Sequence, residues 1–195
     1  MKGREVEVKL PVADPARTRR ALRRLGFRVK NPRALERNTL FDTPTRELRR
    51  RGQMLRLRQT GARWWMTFKG PSGSDRRYKI RVERETAIAD GRVAEQILTA
   101  LGLTPAFYYE KYRTEFADAR GHALLDETPV GRFLELEGPP AWIDRVARQL
   151  GYGPRDYIRE TYAALFNQMC RRWGVRSSSM SFAEVRRRFP RRAFS

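Results

Sequence analysis

One cysteine, one histidine and only six lysines occur in the 195 residues. Cys170 alone leaves no intrachain disulfide to be made and fits a reducing compartment. His122 stands beside a turn, so no Ser-His-Asp set is assembled, and zinc, which favours Cys and His ligands, is disfavoured. No apolar run approaches the ~18 residues of a membrane span, and the N-terminus lacks the apolar core of a signal peptide. The expectation is a cytoplasmic protein with no membrane partner. Acidic residues are also scarce: 22 Asp and Glu face 42 Lys and Arg, a formal charge of +20. That imbalance exceeds what solubility needs and predicts attraction to polyanions such as nucleotides, polyphosphate or nucleic acid. With 40% hydrophobic and 11% aromatic residues, the chain can still fill a core.

What is present is alternation. In Glu5-Val6-Glu7-Val8-Lys9-Leu10, charged side chains take one face of a strand and apolar ones the other. Gln53 to Gln59, Trp65 to Lys69, Lys79 to Glu85, Lys111 to Glu115 and Arg132 to Glu137 repeat the split. Eight strands are expected, at 3–10, 36–42, 53–59, 63–70, 77–86, 108–116, 122–127 and 131–138, mostly joined as hairpins. Three amphipathic helices punctuate them. Asp14-Pro15, Asp90 and Pro139-Pro140 open these helices, and each closes on Leu-Gly at 25–26, 101–102 and 150–151. The helices need an apolar surface to cover, and Val6, Val8, Leu55, Leu57, Ile80, Val82, Leu134 and Leu136 supply it. The fold class is therefore α+β: an eight-stranded antiparallel closed barrel, a tunnel with a charged lumen, covered outside by amphipathic helices. Residues 156–173 read as one longer helix with Tyr162, Leu165, Phe166 and Met169 buried. A tunnel domain over 1–170 and a basic tail over 171–195, with eight arginines against Glu184, complete the organisation. Ser181-Phe182-Ala183-Glu184 has the capping-box pattern, so a short helix through Arg188, stopped by Pro190, is expected in the tail.

The lumen faces sum to two opposed sets. Glu5, Glu7, Glu83, Glu85, Asp126, Glu135 and Glu137 are the acids; Lys9, Arg56, Arg58, Lys69, Lys79, Arg81, Lys111 and Arg113 are the bases. Clustered carboxylates take up protons unless a hard cation binds among them, and clustered guanidinium and ammonium groups need an anion such as phosphate. A metal-bound phosphate chain meets both needs, and all-oxygen ligands point to Mg²⁺ or Mn²⁺. Four of the six lysines, 9, 69, 79 and 111, fall on these faces in a chain that otherwise uses arginine.

The ordered set Glu5-x-Glu7-x-Lys9, Phe41-Asp42-Thr43-Pro44, Leu57-Arg58, Thr67-Phe68-Lys69-Gly70, Lys111-Tyr112-Arg113, Leu125-Asp126-Glu127 and Phe133-Leu134-Glu135-Leu136-Glu137 resembles the CYTH family. This is the group of class IV adenylyl cyclases, thiamine triphosphatases and tripolyphosphatases, and the resemblance spans about residues 1–165. It implies metal-binding roles for Glu5, Glu7, Asp126, Glu135 and Glu137, and a triphosphate clamp of Lys9, Arg56, Arg58, Lys69, Lys111 and Arg113; Arg81 joins the clamp from its lumen face. Glu5, Glu7, Lys9, Arg58 and Lys111 are the residues expected to carry catalysis. The family often has a more acidic strand where this chain reads Lys79-Ile80-Arg81-Val82-Glu83-Arg84-Glu85, and Thr161-Tyr162 stands where many bacterial members have Ser-Tyr. The expected activity is metal-dependent hydrolysis of a triphosphate: inorganic tripolyphosphate, thiamine triphosphate or a nucleoside triphosphate. The alternatives are a class IV adenylyl cyclase making cyclic AMP and pyrophosphate, and a non-catalytic polyphosphate- or RNA-binding module. Trp64, Trp65, Tyr78 and Tyr109 are the aromatic groups that could stack a base or simply pack. The expected partner is a triphosphate-containing small molecule, with nucleic acid or another polyanion on the basic tail. Monomer and homodimer are both left open.

Overall fold

The computed structural model describes residues 4–190. Eight strands, β1 (Arg4–Pro11), β2 (Arg28–Asp42), β3 (Met54–Thr60), β4 (Arg63–Lys69), β5 (Lys79–Ile88), β6 (Thr104–Ala117), β7 (His122–Thr128) and β8 (Gly131–Glu137), form one antiparallel sheet in the order β2-β3-β4-β5-β1-β8-β7-β6. Pairing of β2 with β6, from Arg28 opposite Ala117 to Asp42 opposite Thr104, closes the ring. The expected closed barrel is therefore present. The second strand begins at Arg28, not 36. Register shifts between Val29 and Ala34 let it pass Pro32, which has no N–H to give a ladder, and still follow β6 to its end.

Helices α1 (Pro15–Arg24), α3 (Gly91–Ala100) and α4 (Pro140–Gln149) occupy the expected positions. Asp14 accepts hydrogen bonds from the backbone N–H groups of Ala16 and Arg17, and Asp90 caps α3 in the same way from Arg92 and Val93. Gly26, at φ 87°, takes the left-handed conformation that ends α1. Leu22 of α1 and Trp142, Ile143 and Val146 of α4 bury themselves on the outward side chains of β1, β7 and β8, including Val8, Leu10, Leu125, Leu134 and Leu136. Ala94 and Leu98 of α3 cover Phe41 and Leu57. Val93, Ile97 and Leu101 of the same helical segment are exposed. A short helix, α2 (Glu47–Arg50), links β2 to β3; both oxygens of buried Asp42 accept backbone N–H groups, from Thr43 and Leu48 on one side and Arg49 on the other.

The expected helix over 156–173 is shorter. Pro154–Asp156 makes a 3-10 turn, the Ile158 N–H bonds the Lys9 carbonyl at 2.8 Å, and α5 (Tyr162–Arg172) starts only after Thr161 caps it. Extended pairing of Ile158 with β1 competes with helix there and wins. The buried stripe of α5 is Tyr162, Phe166 and Cys170, with Leu165 and Met169 half-buried.

The segment expected to stand apart as a basic tail is packed from 171 to 190. β6 is longer than β7, so its edge near Tyr108 lacks a partner. β9 (Ser179–Met180) supplies one in parallel, pairing Tyr108 with Ser179 and Tyr109 with Met180. α6 (Phe182–Arg188) follows, capped by the Ser181 side chain from the Glu184 N–H as the capping-box spacing predicts. Met180, Val185 and Phe189 join Tyr109, Phe133, Tyr162, Phe166 and Cys170 in a second core that stoppers one end of the barrel. Removing a ring such as Phe166, fully buried here, costs about 3–5 kcal/mol in a well-packed core. Arg191 and Arg192 lie outside the described residues. Among the described residues, no helix is long and apolar enough to cross a membrane.

Candidate active site

Register puts every other side chain of each strand into the lumen. Glu7 lies opposite Glu137, Lys9 opposite Glu135, Arg81 opposite Glu5 and Lys79 opposite Glu7. Further round the ring, Arg113 faces Asp126, and Arg56 and Arg58 face Thr67 and Trp65. The space they enclose is a single cavity of about 1290 Å³. Glu5, Arg58, Lys111 and Glu137, drawn from four separate strands, all line it.

The acids divide into two groups. Glu5, Glu7 and Glu137 each place a carboxylate oxygen within 4.8 Å of the others. Burial pushes the Glu5 carboxyl up, repulsion from Glu7 and Glu83 adds to it, and Lys69 only partly offsets both, leaving it at about 7. Glu137 is pushed further, to about 8, by burial and by Glu5 and Glu7. Glu7 goes the other way, because Lys79 at 2.8 Å and Lys69 outweigh its burial. Lys69 sits 2.6 Å from Glu5 and 3.0 Å from Glu83. Three converging carboxylates, two of them reluctant to ionise, are the donor chemistry that a hard divalent cation satisfies, so the residues present fit Mg²⁺ or Mn²⁺.

Asp126 and Glu135, expected to share that metal set, sit apart from the trio and in the company of cations. Asp126 is fully buried; it accepts from Lys111 at 2.9 Å, from Arg113 at 2.6 and 2.7 Å, and from the Tyr162 hydroxyl at 2.8 Å. Glu135 lies 2.5 Å from Arg113 and 3.5 Å from Lys9, which with Lys111 hold its carboxyl well below the usual range despite burial.

The clamp cations converge. Arg58 reaches Glu85 at 2.8 Å and Arg56 reaches it at 3.4 Å, while Arg56 also donates to Tyr109 and Thr67. Arg81, 3.9 Å from Glu7, sits on the acidic side of the lumen. Burial lowers the Lys9 ammonium, whose Nζ donates to the Glu160 carbonyl at 2.7 Å and lies 4.2 Å from the centre of the Tyr162 ring. Lys111 lies 5.3 Å from the same ring. Tyr162 is therefore a platform that holds two lumen lysines and the acid between them.

Sequence reasoning gave no site role to Glu36, Asn38, Thr67 and Tyr162, although Thr67 and Tyr162 lie in motifs that carry the family resemblance. Glu36 enters the lumen opposite Lys111. Burial would raise its carboxyl, but Lys111, Arg113, Arg58 and Arg56 hold it down to about 2. Its strand carries polar Arg37 and Thr39 on the other face, so alternation could not choose a side; the pairing with Lys111 does. Of the four aromatic candidates, Trp64 packs on Gly91, Tyr78 donates to Asp144 at 2.7 Å outside the barrel, and Tyr109 is in the plug; Trp65 lines the cavity, with the Arg58 guanidinium 5.3 Å from its ring centre.

The architecture at this site is a closed barrel whose lumen is lined by interleaved acids and bases. Residues 3–162 match the CYTH domain, and the chain belongs to this family, whose members are enzymes, adenylyl cyclases and triphosphatases among them. It is 31% identical over 134 residues to a Methanocaldococcus jannaschii protein provisionally named an adenylate cyclase, a match covering 68% of this chain and 75% of that one. A Vibrio parahaemolyticus structure, also provisionally named an adenylate cyclase, superposes with a TM-score of 0.75 at 22% identity, over 86% of this chain and 99% of that one. A Hippeastrum structure described as a provisional adenylyl cyclase with dominant triphosphatase activity gives a TM-score of 0.62 at 17% identity, over 84% and 95%.

Proposed function

We propose that this protein is a metal-dependent triphosphatase that hydrolyses a phosphoric anhydride of a small triphosphate held in the tunnel. The observation that carries this reading is that the Glu5, Glu7 and Glu137 trio and the Arg56, Arg58, Lys111 and Arg113 clamp face one lumen. Glu5, Glu7 and Glu137 would hold the divalent ion. When bound, that ion supplies charge neutralisation on phosphate oxygens and lowers the pKa of a coordinated water.

The chain's own residues do the rest. Arg56 and Arg58 present guanidinium forks to phosphate oxygens, and Lys9, Lys69 and Lys111 add compact charges along the phosphate chain. Phosphoryl transfer asks mainly for positioning and for neutralising charge as it moves onto the leaving phosphate, and these cations are already placed for both. Their present partners, Glu85, Glu36 and Asp126, hold them in the lumen before substrate arrives, which limits reorganisation on binding.

A cyclase reading shares the clamp and is favoured by the names of the Methanocaldococcus and Vibrio proteins. It needs a base platform, and of the aromatic candidates only Trp65 lines the cavity without belonging to the plug. A non-catalytic polyanion binder would gain nothing from three carboxylates facing its ligand, since like charge repels phosphate. The test is a panel of tripolyphosphate, thiamine triphosphate and ATP with Mg²⁺ or Mn²⁺, with products separated by chromatography, on the wild type and on Glu5→Gln with Glu7→Gln. Release of phosphate that is lost in the double variant, with circular dichroism unchanged, is expected. Cyclic AMP with pyrophosphate would establish the cyclase instead, and turnover that survives chelation or the double substitution would remove the metal assignment.

A further inference from the structure

Seven tyrosines occur in the chain, and five of them pass their proton to a fixed acceptor. Tyr78 and Tyr157 donate to Asp144, Tyr108 to Glu110, Tyr162 to Asp126 and Tyr152 to the Pro11 carbonyl. Burial, joined by a nearby acid, pushes each of these phenols above its ordinary value. Tyr109 is built the other way round. Its ring packs with Phe107 and Tyr162 in the second core, yet the residue also lines the lumen. Arg56 Nη1 donates to its hydroxyl oxygen at 3.3 Å, and because a guanidinium accepts nothing, that oxygen is the acceptor. The hydroxyl proton is left with no acceptor among the described residues. Burial alone would raise this phenol, but Arg56 and Lys111 outweigh it and bring it below its ordinary value, with Glu36 working against them.

The strands beside Tyr109 are also short of partners. Asn38 lies opposite Tyr109 in the β2–β6 register and opposite Arg58 in the β2–β3 register; it is fully buried and pairs neither atom of its amide. Glu36 Oε2 and the Nε atoms of Arg56 and Arg58 are likewise without hydrogen bonds among the described residues. Folded interiors rarely leave such groups unpaired, and a cluster of them beside a cavity marks a wall that a hydrogen-bonding ligand completes. Phosphate oxygens held by Arg56 and Arg58 would lie against this wall, where a phenol O–H lacking any other acceptor meets one.

We propose that Tyr109 is a catalytic residue, donating its hydroxyl proton to the bound phosphate chain and passing it to the leaving phosphate during hydrolysis. Attack of water on the terminal phosphorus forms one P–O bond and breaks the bridging P–O bond, whose electron pair stays on the leaving phosphate. That oxygen takes the Tyr109 proton, Arg56 and Lys111 stabilise the phenolate, and a proton from the attacking water restores the phenol. The catalytic step rests on the triphosphatase reading, and the experiment separates the two.

Tyr109→Phe removes the hydroxyl and keeps the ring in the core. Turnover of tripolyphosphate with Mg²⁺ is followed across pH, affinity for tripolyphosphate is measured in EDTA, and the near-ultraviolet absorbance of the phenolate is titrated with and without that anion. The charged and titratable groups facing the phenol are Arg56 from β3, Lys111 from β6, Glu36 from β2 and Tyr162 from α5, so the difference between wild type and variant isolates Tyr109. The kcat is expected to fall about a hundredfold against a loss of affinity below about tenfold, because the proton moves only in the transition state. Wild-type activity should decline as pH rises through the pKa of the phenol, since an acid works only while protonated, and the variant should lack that limb. Tripolyphosphate should move the Tyr109 titration to higher pH, because an anion that accepts the proton favours the protonated phenol. An unchanged kcat would overturn the proposal, as would kcat and affinity falling by the same factor, the result of a hydroxyl that only holds Arg56, or a titration indifferent to the anion. If the wild type hydrolyses none of the triphosphates, the triphosphatase reading falls, and the titration still decides whether Tyr109 donates to the anion.

Discussion

Mg²⁺ binding to the metal-free protein should release protons in an amount set by the carboxylate trio. With Glu5 at about 7 and Glu137 at about 8, the empty site at pH 7 holds about half a proton on Glu5 and about nine-tenths of one on Glu137, so binding displaces about 1.4 protons. At pH 8.5 both groups are mostly ionised and the release falls to about 0.3. Isothermal titration in two buffers of different ionisation enthalpy reads this number directly. Glu137→Gln should cut the release at pH 7 to about half a proton or less. The same shifts set stability without metal. Both groups have folded pKa values above the unfolded ones, so the folded chain retains protons that the unfolded chain has lost, and stability falls as pH rises from about 4.5 to about 8. The shift of Glu5 corresponds to ~3 kcal/mol, absent at low pH and complete above about pH 8. Glu7 and Glu135, held low, act in a separate window and withdraw stability only as pH drops below their ordinary range. Saturating Mg²⁺ should flatten the alkaline decline. A heat of Mg²⁺ binding that is independent of buffer at pH 7, with an unchanged melting temperature between pH 5 and 8.5, would refute the trio as the cation site.

Arg58→Ala or Lys111→Ala should weaken tripolyphosphate binding by about 1.5–3 kcal/mol, the value of a lost charged hydrogen bond, read by titration; unchanged affinity in both would place these residues outside the site. Lys111→Ala should also destabilise the fold, because Asp126 loses one of its cations in a fully buried position. Tyr162→Phe removes the hydroxyl that donates to Asp126 but keeps the ring under Lys9 and Lys111, so urea unfolding should show a loss of about 1.5–3 kcal/mol; Tyr162→Leu should lose about 1 kcal/mol more, and equal losses would deny the ring its role. Gly91→Ala would place a methyl 2.1 Å from the Trp64 ring and should cost about 1–3 kcal/mol of stability; a neutral result would mean that α3 slides freely on β4.

Period-two alternation made the strand faces legible from residues alone, since every second side chain of a paired strand shares a face. Glu5, Glu7, Lys9, Arg56, Arg58 and Lys111 could be assigned to one lumen before any pairing was known. Helix positions were legible for a similar local reason, the Asp caps and Leu-Gly stops. What alternation cannot supply is depth along the lumen and position around it. Glu135 and Glu137 lie two residues apart on one face, yet pairing sends Glu137 to the acidic trio and Glu135 to Lys9 and Arg113. Glu36, flanked by polar residues on both faces, acquired its side only from the β2–β6 register. The plug is likewise tertiary. Helical periodicity marked Tyr162 and Phe166 as buried but could not say against what, because their partners Phe107, Tyr109 and Phe133 lie 29 to 59 residues earlier in sequence. The arginine-rich C-terminal segment read as a basic tail because charge dominates its composition, whereas a handful of apolar residues, Met180, Val185 and Phe189, pack with the α5 cluster beside an otherwise unpaired strand edge. Local sequence determined which side chains could face the lumen; closure of the ring decided which of them meet, since contact between strands depends on register and shear that no single strand encodes.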